Sequence, residues 1–578
     1  MTNSKIIRRE VPPGLSLPAN THPVLQRVLA ARGVRGAQDI DTSLSGLLRT
    51  DSLAGIDAAT VLLEEAIEKR KKIVVVADFD CDGATSCAVV LRALLAMGAT
   101  DVDYIVPNRF EYGYGLTPAI VELAAQRSPD LLLTVDNGIS SVEGVECSRR
   151  LNIDVLITDH HLPGPVLPNA NAIVNPNVPG DNFPSKALAG VGVVFYVMLA
   201  LRKRLADRQW FEQNSIEYPN LANLLDFVAL GTVADVVPLD QNNRRLVAQG
   251  LARIRAGKSH HGIAALLKVA GKEPAKITSL DLGFAIGPRL NAAGRLADMS
   301  LGIACLISDN QIECDRLAIA LDDLNRERRD IESEMKTRAT ALVDKMELDD
   351  GVALRSGICI EDDSWHQGVV GIIASRIKDR YHRPVIAFAP TNDGELKGSG
   401  RSVPEVHMRD ALDAIAAHHP GLVSKFGGHA MAAGLTLALD RFDEFSDAFD
   451  EEIRRQTGNA GLNHIIATDG PLVANDMNLD LAQLLAGAVP WGPSFPQPLF
   501  DGEFKIVERR IVGEAHVLLA LQPTDATLVV PAIAFGAADE SWAADCDVIH
   551  AVYQLAVNDY RNKRSVQLVI TYAQSTDA

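Results

Sequence analysis

Apolar positions in the first third of the chain fall into two alternating patterns. From Ala58 to Lys72 they recur at helical spacing (AATVLLEEAIEKRKK), which predicts an amphipathic helix. Short continuous runs follow: IVVVA (Ile73–Ala77), LLLTV (Leu131–Val135) and DVLIT (Asp154–Thr158). The first two lead through polar residues into helix-like segments, such as SCAVVLRALLAMG after Gly83. Uninterrupted apolar strands alternating with helices predict βαβ units and a parallel sheet covered on both faces. Ligands of such sheets sit outside the carboxyl ends of the strands. All three runs end there in polar, metal-competent residues.

The pattern then changes twice. Residues 187–255 read as mostly helical and carry LLDFVALGTVADVVPLD. Residues 315–348 contain neither Gly nor Pro and predict one long connecting helix. After Gly351 the β/α alternation restarts with GICI, VVGIIASRIKDRY and PVIAFAP, predicting a second α/β domain to about Thr457. From about Leu462 short strands and turns take over (FKIVERRIVG, HVLLALQP, TLVVPAIAFG, CDVIHAVYQLAVN, SVQLVITYAQ), predicting a small β-barrel of the OB type.

Composition narrows the class without naming it. The 578 residues are 47% hydrophobic and 22% charged, an ordinary globular balance for several domains. The net charge of −18 excludes a globally basic nucleic-acid coat protein but leaves a local basic channel open. Seven cysteines without a CxxC pair argue against a disulfide framework or a thiolate zinc site, and fit a reducing cytosol. The opening MTNSKIIRREVPPG lacks the apolar run of a signal peptide, and no run of about twenty apolar residues predicts a membrane span. A cytoplasmic location is therefore expected.

Four clusters carry the chemistry. The first is Asp78-Phe79-Asp80-Cys81-Asp82-Gly83. One Asp there would be a turn or, at Asp82, a helix cap. Three carboxylates in five residues repel one another unless a cation lies among them. Asp136-Asn137-Gly138 alone would be a turn. Asp159-His160-His161 ends a third strand, and Asp235 follows the apolar stretch GTVA. Carboxylates with one or two imidazoles suit Mn²⁺ or Mg²⁺ better than a thiolate-rich zinc or copper site. Five or six ligands exceed the needs of one ion. Two ions about 3.5–4 Å apart, bridged by one carboxylate, would activate water for in-line displacement at phosphorus.

The ordered set DFDCDGATS, DNG, DHH, GTVADVVPL, PRLNAAGR and GGHAMAAG, with NRFEYGYG, WHQGVVGIIASR and GSGRS, resembles the RecJ branch of the DHH phosphoesterase family. The matching motifs run from about residue 73 to 434. The resemblance implies an α/β fold: a parallel-sheet DHH catalytic domain (51–305) after an N-terminal helical region (1–50), a connecting helix (306–350), a DHH-associated α/β domain (351–460) and an OB-fold domain (461–578). It implies a single-strand-specific 5′→3′ DNA exonuclease of recombination, repair and mismatch correction that uses two Mn²⁺ or Mg²⁺ ions. It also implies a monomer, partnered by a single-stranded-DNA-binding protein and a helicase.

By motif, Asp80 and Asp82 are expected as ligands of different ions, Asp136 as the bridge, and His160 and Asp235 as completing the second site. His161 should face the scissile phosphate, with Asp159 orienting the His pair and Asp78 supporting or ligating. Arg109, Arg289, Asn291, Arg295, Ser399, Arg401 and His429 are expected to contact phosphate or DNA, with Arg109, Ser399 and Arg401 around the 5′ end. Trp365 and His366 could stack or contact phosphate, with packing the equal alternative for Trp365. The sequence departs from some relatives at Val76, where they carry a histidine, and at Cys81, where Ala is usual and oxidation is conceivable.

The strand is expected to run in a channel between the two α/β domains. A phosphodiesterase for short oligonucleotides or cyclic dinucleotides is the enzyme rival, and a catalytically dead scaffold the rival from another class. In the barrel segment, fourteen acidic residues face six lysines and arginines, clustered as Lys505/Arg509/Arg510 and Arg561/Lys563/Arg564. DNA binding and protein docking both remain open for it. The chemistry is expected to need nothing beyond about Gly461.

Overall fold

The computed structural model describes residues 4–349, 355–391, 394–458, 462, 464–513, 515–538, 540, 542–543, 546–560 and 563–576, without the side chains of residues 109, 110, 347–349 and 560. Gly461 and Arg561 lie outside the described residues. The chain divides into two compact units. The larger joins Arg8–Asp322 to Thr468–Ala578, and the smaller joins Met1–Ile7 to Asp323–Ala467.

A four-residue strand, β1 (Lys5–Arg8), opens the chain where the sequence reading expects only helix; the helix Pro23–Ala30 follows. The predicted amphipathic helix runs Ile56–Glu68. In the larger unit, β2 (Ile73–Ala77), β3 (Val102–Ile105), β4 (Leu131–Val135), β5 (Asp154–Thr158) and β6 (Ala172–Val174) form an all-parallel sheet. Its order is β3-β2-β4-β5-β6. The three apolar runs read from sequence are β2, β4 and β5, residue for residue. Val74, Val76, Leu132, Val155 and Ile157 share a core with Ile120, Val121 and Ala124 of the helix Pro118–Ala125, and with Val145 of the helix Val142–Arg150. Each such side chain, fully buried, contributes about 1.5–3 kcal/mol. Successive strands depart to opposite sides of β2, so the sheet reverses direction between β2 and β4. That switch point opens a crevice at the carboxyl ends, where Asp78–Asp82 and Asp136 follow.

The predicted connector is the 39-residue helix Gln311–Asp349, within which the boundary between the units falls. The smaller unit holds β7 (Ile358–Glu361), β8 (Val385–Pro390), β9 (Glu395–Arg401), β10 (Lys425–Gly428) and β11 (Ala432–Ala438), in the order β10-β11-β9-β8-β7. Only β7 and β8 are parallel. One core joins Ile360, Val385 and Trp365 to Met335, Ala339 and Val343 of the long helix. Another joins Ile386, Phe388 and Leu435 to Phe445 and Phe449 of the helix Phe442–Thr457. Trp365 is therefore packed, not presented for stacking. β12 (Ile465–Thr468) pairs with β1, and Lys5 N–H donates to the His464 carbonyl at 2.8 Å.

The five predicted C-terminal strands form a closed barrel of β13 (Phe500–Val512), β14 (His516–Pro523), β15 (Val530–Ala534), β16 (Val548–Tyr560) and β17 (Lys563–Ser575). All pairings are antiparallel except β15 with β17. Charged clasps tie this segment to the beginning of the larger unit. Arg32 and Asp469, 1% and 0% exposed in their side chains, meet at 2.7 and 3.0 Å through both guanidinium nitrogens. Arg8 binds the buried Asp501 at 2.9 Å. A chain cut near residue 461 would lose both of these carboxylates.

Candidate metal centre

The residues after β2 turn sharply into the helix Cys81–Ala96. Asp80, not Asp82, caps it: its Oδ1 accepts from Gly83 N–H at 3.0 Å. Asp82 is fully buried in the first turn, and its carboxylate accepts from Gly190 N–H at 2.6 Å and Val191 N–H at 2.9 Å. These are the first amides of the helix Gly190–Asp207, whose positive end favours the charge.

After β4, Asp136 adopts φ +63°, a left-handed conformation that costs a non-glycine residue free energy and clusters at functional sites. The turn is held by Asn137, whose Nδ2 donates to the carbonyls of Val76 and Val135 at 3.0 and 2.9 Å. Asn137 thus joins the ends of β2 and β4, a function missed by the sequence reading, which gave a role in this triplet only to Asp136. Gly190 lets Asp136 in, since a Cβ at residue 190 would lie 2.7 Å from Asp136 Oδ1.

After β5, Asp159 is 1% exposed. Its Oδ1 accepts from His160 N–H at 2.7 Å and from His161 Nδ1 at 2.7 Å, and its Oδ2 from Ile139 N–H at 2.9 Å. Burial alone would raise its pKa, but the His161 contact and the imidazole charges outweigh it and hold the carboxyl below its usual range. Reciprocally, burial pulls His161 down while Asp159 pulls it up, and the net shift is upward. Asp159 thus meets the His161 ring and both histidine backbone amides.

These elements converge. Ligand atoms of Asp78, Asp80 and Asp136 lie within 4.8 Å of one another, as do those of Asp82, His160 and Asp235, and those of Asp136, His160 and His161. His160 Nε2 is 3.1 Å from Asp136 Oδ1 and 3.4 Å from Asp235 Oδ2. Asp235 follows the helix Leu225–Ala234, far along the chain from the sheet. Asp136 thus belongs to both a carboxylate group and a histidine-containing group. Asp78, left between support and ligation by sequence, is brought among the candidate ligands.

The donor set fits divalent cations. Asp136 Oδ1 and Asp235 Oδ2 are buried and accept no hydrogen bond from the described residues. Burial, then repulsion from Asp80, pushes Asp82 up to about 7. Burial, then Asp82 and Asp80, pushes Asp136 and Asp235 well above the usual carboxylate range. A bound cation inverts this electrostatic logic and makes the ionised forms the stable ones.

Tyr114, which sequence reasoning did not single out, borders the cluster. Its hydroxyl donates to the Asp136 carbonyl at 3.3 Å and lies 3.4 Å from His161 Nε2. The EYGYG motif contained it, but no spacing rule marks it. Val76 is a core residue, 1% exposed. Cys81 is equally buried, and burial with the adjacent carboxylates pushes its thiol pKa well up, which disfavours the oxidisable thiolate.

The expected DNA contacts sort into three groups. Asn291 and Arg289 are committed within the protein. Asn291 Oδ1 accepts from Cys81 N–H at 2.7 Å. Arg289 holds the buried Asp322 through Nε at 2.9 Å and Nη2 at 2.8 Å, and its Nη1 donates to the Ala285 carbonyl at 2.5 Å. In this structure these atoms brace the site from within: Asn291 through its oxygen, Arg289 through its guanidinium. Arg295 is half-buried in the last turn of the helix Gly287–Leu296.

In the smaller unit, Ser399 and Arg401 lie together on β9, with Arg401 Nη1 3.1 Å from Ser399 Oγ. Arg401 is half-buried, which lowers its pKa, and its Nη1 also donates to the Gly400 carbonyl at 2.7 Å. His429 is exposed in the β10–β11 turn, its N–H donating to the Ala432 carbonyl at 2.8 Å. The Arg109 side chain lies outside the described residues.

Comparison with known proteins matches residues 72–232 to the DHH family, N-terminal domain, residues 352–455 to the DHHA1 domain, and residues 468–572 to the RecJ OB domain. The single-stranded-DNA-specific exonuclease RecJ of Escherichia coli is 51% identical, covering 97% of this chain and 98% of its own. The Bacillus subtilis protein of that name is 31% identical over 95% of this chain and 67% of its own. The crystal structure of RecJ in complex with Mn²⁺ from Thermus thermophilus superposes with TM-score 0.79 at 28% identity, over 99% of this chain and 80% of that one. The corresponding Mg²⁺ complex gives 0.74 at 27% identity, over 99% and 78%.

Proposed function

Because the chain belongs to the RecJ family of single-stranded-DNA-specific exonucleases, we propose that it hydrolyses single-stranded DNA stepwise from the 5′ end, using two Mn²⁺ or Mg²⁺ ions. The observation that carries this is the convergence of Asp78, Asp80 and Asp136 with Asp82, His160 and Asp235, two donor groups that meet at Asp136 and His160. Asp78, Asp80 and Asp136 would hold one cation and Asp82, His160 and Asp235 the other, with Asp136 within reach of both. When bound, the pair supplies Lewis acidity to the scissile phosphate and to water.

The chain's own groups do the positioning. The Gly190 and Val191 amides fix Asp82. Asp159 holds the His161 ring and both histidine backbone amides, so His161 presents one imidazole edge toward the phosphate. Tyr114 closes that side. Arg401 with Ser399 supplies a cation and a hydroxyl for a terminal phosphate, which favours the 5′ end.

No helix of the described residues is long and apolar enough to cross a membrane. The reading includes a cytoplasmic monomer working with a single-stranded-DNA-binding protein and a helicase. The test is a nuclease assay on 5′- and 3′-labelled single and double strands with Mn²⁺, Mg²⁺ or EDTA. Mononucleotide release from the 5′ end of single strands, absent in EDTA, is expected. Degradation from the 3′ end, or cleavage confined to dinucleotides, would overturn the reading.

A further inference from the structure

A turn of π-helix, Leu282–Ile286, precedes the helix Gly287–Leu296. Such turns are rare and concentrate at functional sites. This one packs against the last turn of the helix that delivers Asp235. A Cβ at Gly283 would lie 3.2 Å from Val233 Cγ1, and one at Gly287 3.1 Å from Ala234 Cβ. The turn leaves Phe284 81% exposed. Val236, adjacent to Asp235, is 65% exposed and has φ +61°, a conformation β-branched residues strongly avoid. Scattered exposed apolar side chains are ordinary. Here one adjoins Asp235 in sequence and the other lies on the turn packed against the helix that ends at Asp235, each presented by a backbone arrangement the chain adopts at a cost, and neither buried in return.

We propose that Phe284, with Val236, forms a base-binding ledge beside the metal centre, on which an unpaired nucleobase of the bound strand stacks. The proposal rests on the exonuclease reading, since it places a strand at Asp235. The ligand is a nucleobase without regard to identity, because every base offers a π-face and stacking tolerates sequence. An enzyme advancing along a strand requires that tolerance. In a duplex the same base face is covered by its neighbours, so the ledge rewards single strands.

The test measures binding in EDTA, where cleavage is absent, and turnover in Mn²⁺. The probes are one oligonucleotide with ordinary bases and one with abasic sites at its first three 5′ positions, and 2-aminopurine at those positions reports stacking. F284A should weaken binding of the ordinary strand by about tenfold or more, leave the abasic strand unchanged and abolish 2-aminopurine quenching. F284Y should retain all three properties. Equal loss on both strands, or F284A binding like the parent protein, overturns the ledge. Phe284-dependent quenching in a protein that cleaves neither strand in Mn²⁺ would support the ledge and sink the exonuclease reading instead.

Discussion

The side-chain oxygen of Asn291 accepts a 2.7 Å hydrogen bond from the backbone N–H of Cys81. Cys81 lies between Asp80 and Asp82, so one contact fixes the loop that carries both carboxylates. The helix bearing Asn291 sits hard on that loop: a Cβ at Gly294 would fall 1.7 Å from the Phe79 carbonyl oxygen. Asn291→Ala should therefore loosen the metal site, weakening Mn²⁺ binding by about 10–100-fold. Calorimetric titration with Mn²⁺ checks this. Unchanged Mn²⁺ binding with weaker DNA binding in EDTA would return Asn291 to a phosphate contact.

Asp136→Asn should separate stability from activity. In the absence of cation, the buried carboxyl suffers desolvation and repulsion from Asp82 and Asp80. Asparagine removes the charge and accepts positive φ readily. We expect the variant in EDTA to melt no lower than the parent protein. Mn²⁺ should raise the melting temperature of the parent alone, and cleavage by the variant should fall by about 10³-fold. A cleavage-competent variant would remove Asp136 from the shared position.

Two arginines read alike from sequence should behave differently. Arg401→Ala should reduce kcat/KM for strands with a 5′ phosphate more than for strands with a 5′ hydroxyl, a charge-assisted contact being worth about 1.5–3 kcal/mol. Arg289→Ala strands the buried Asp322 and should cost about 3–5 kcal/mol of stability, with no preference between the two ends. Melting curves and end-defined substrates together distinguish the cases.

Asp501 provides a pH test away from the metal centre. Burial would raise its pKa, but hydrogen bonds from Arg8, Thr468 and His550 prevail and the net shift is downward. A depressed carboxyl stabilises the fold above its unfolded pKa of about 3.9, and that stability disappears as pH falls through the folded value. Asp501→Asn should cost about 1.5–3 kcal/mol near neutrality, and the gap from the parent protein should close below about pH 4. A gap constant down to pH 3 would mean the loss is one of packing.

What could be read in the sequence was what local pattern encodes. β2, β4 and β5 are continuous apolar runs, and the parallel sheet they form places Asp78–Asp82, Asp136 and Asp159–His161 at one edge by construction. Asp235 was visible as an acidic residue after an apolar stretch, but its place in the second site came from motif resemblance, since helix packing brings it to the others. Asn291 and Arg289 show the limit. The residue types that bind phosphate are also those that satisfy a buried amide or carboxylate, and only geometry separates the two uses. β1 was missed because KIIR is too short to signal a strand, and its partner stands at the far end of the smaller unit. The acidic balance of 462–578 gave no hint that Asp469 and Asp501 anchor the N-terminal segment.

The clasps at Arg32 and Arg8 also set an order in time. Arg32 and Asp469 are separated by 437 residues, and Ser4 and His464 by 460. A ribosome adds roughly 5–20 residues per second, so the N-terminal segment emerges and waits tens of seconds for its counterparts. The parallel sheet has its strands long before then, but the barrel that contains Asp501 cannot close until β17 has left the tunnel. The first segment of the chain thus depends for its charge pairing on residues 437 and 493 positions later, and a chain stopped before Asp469 leaves Arg32 and Arg8 without the carboxylates they bind.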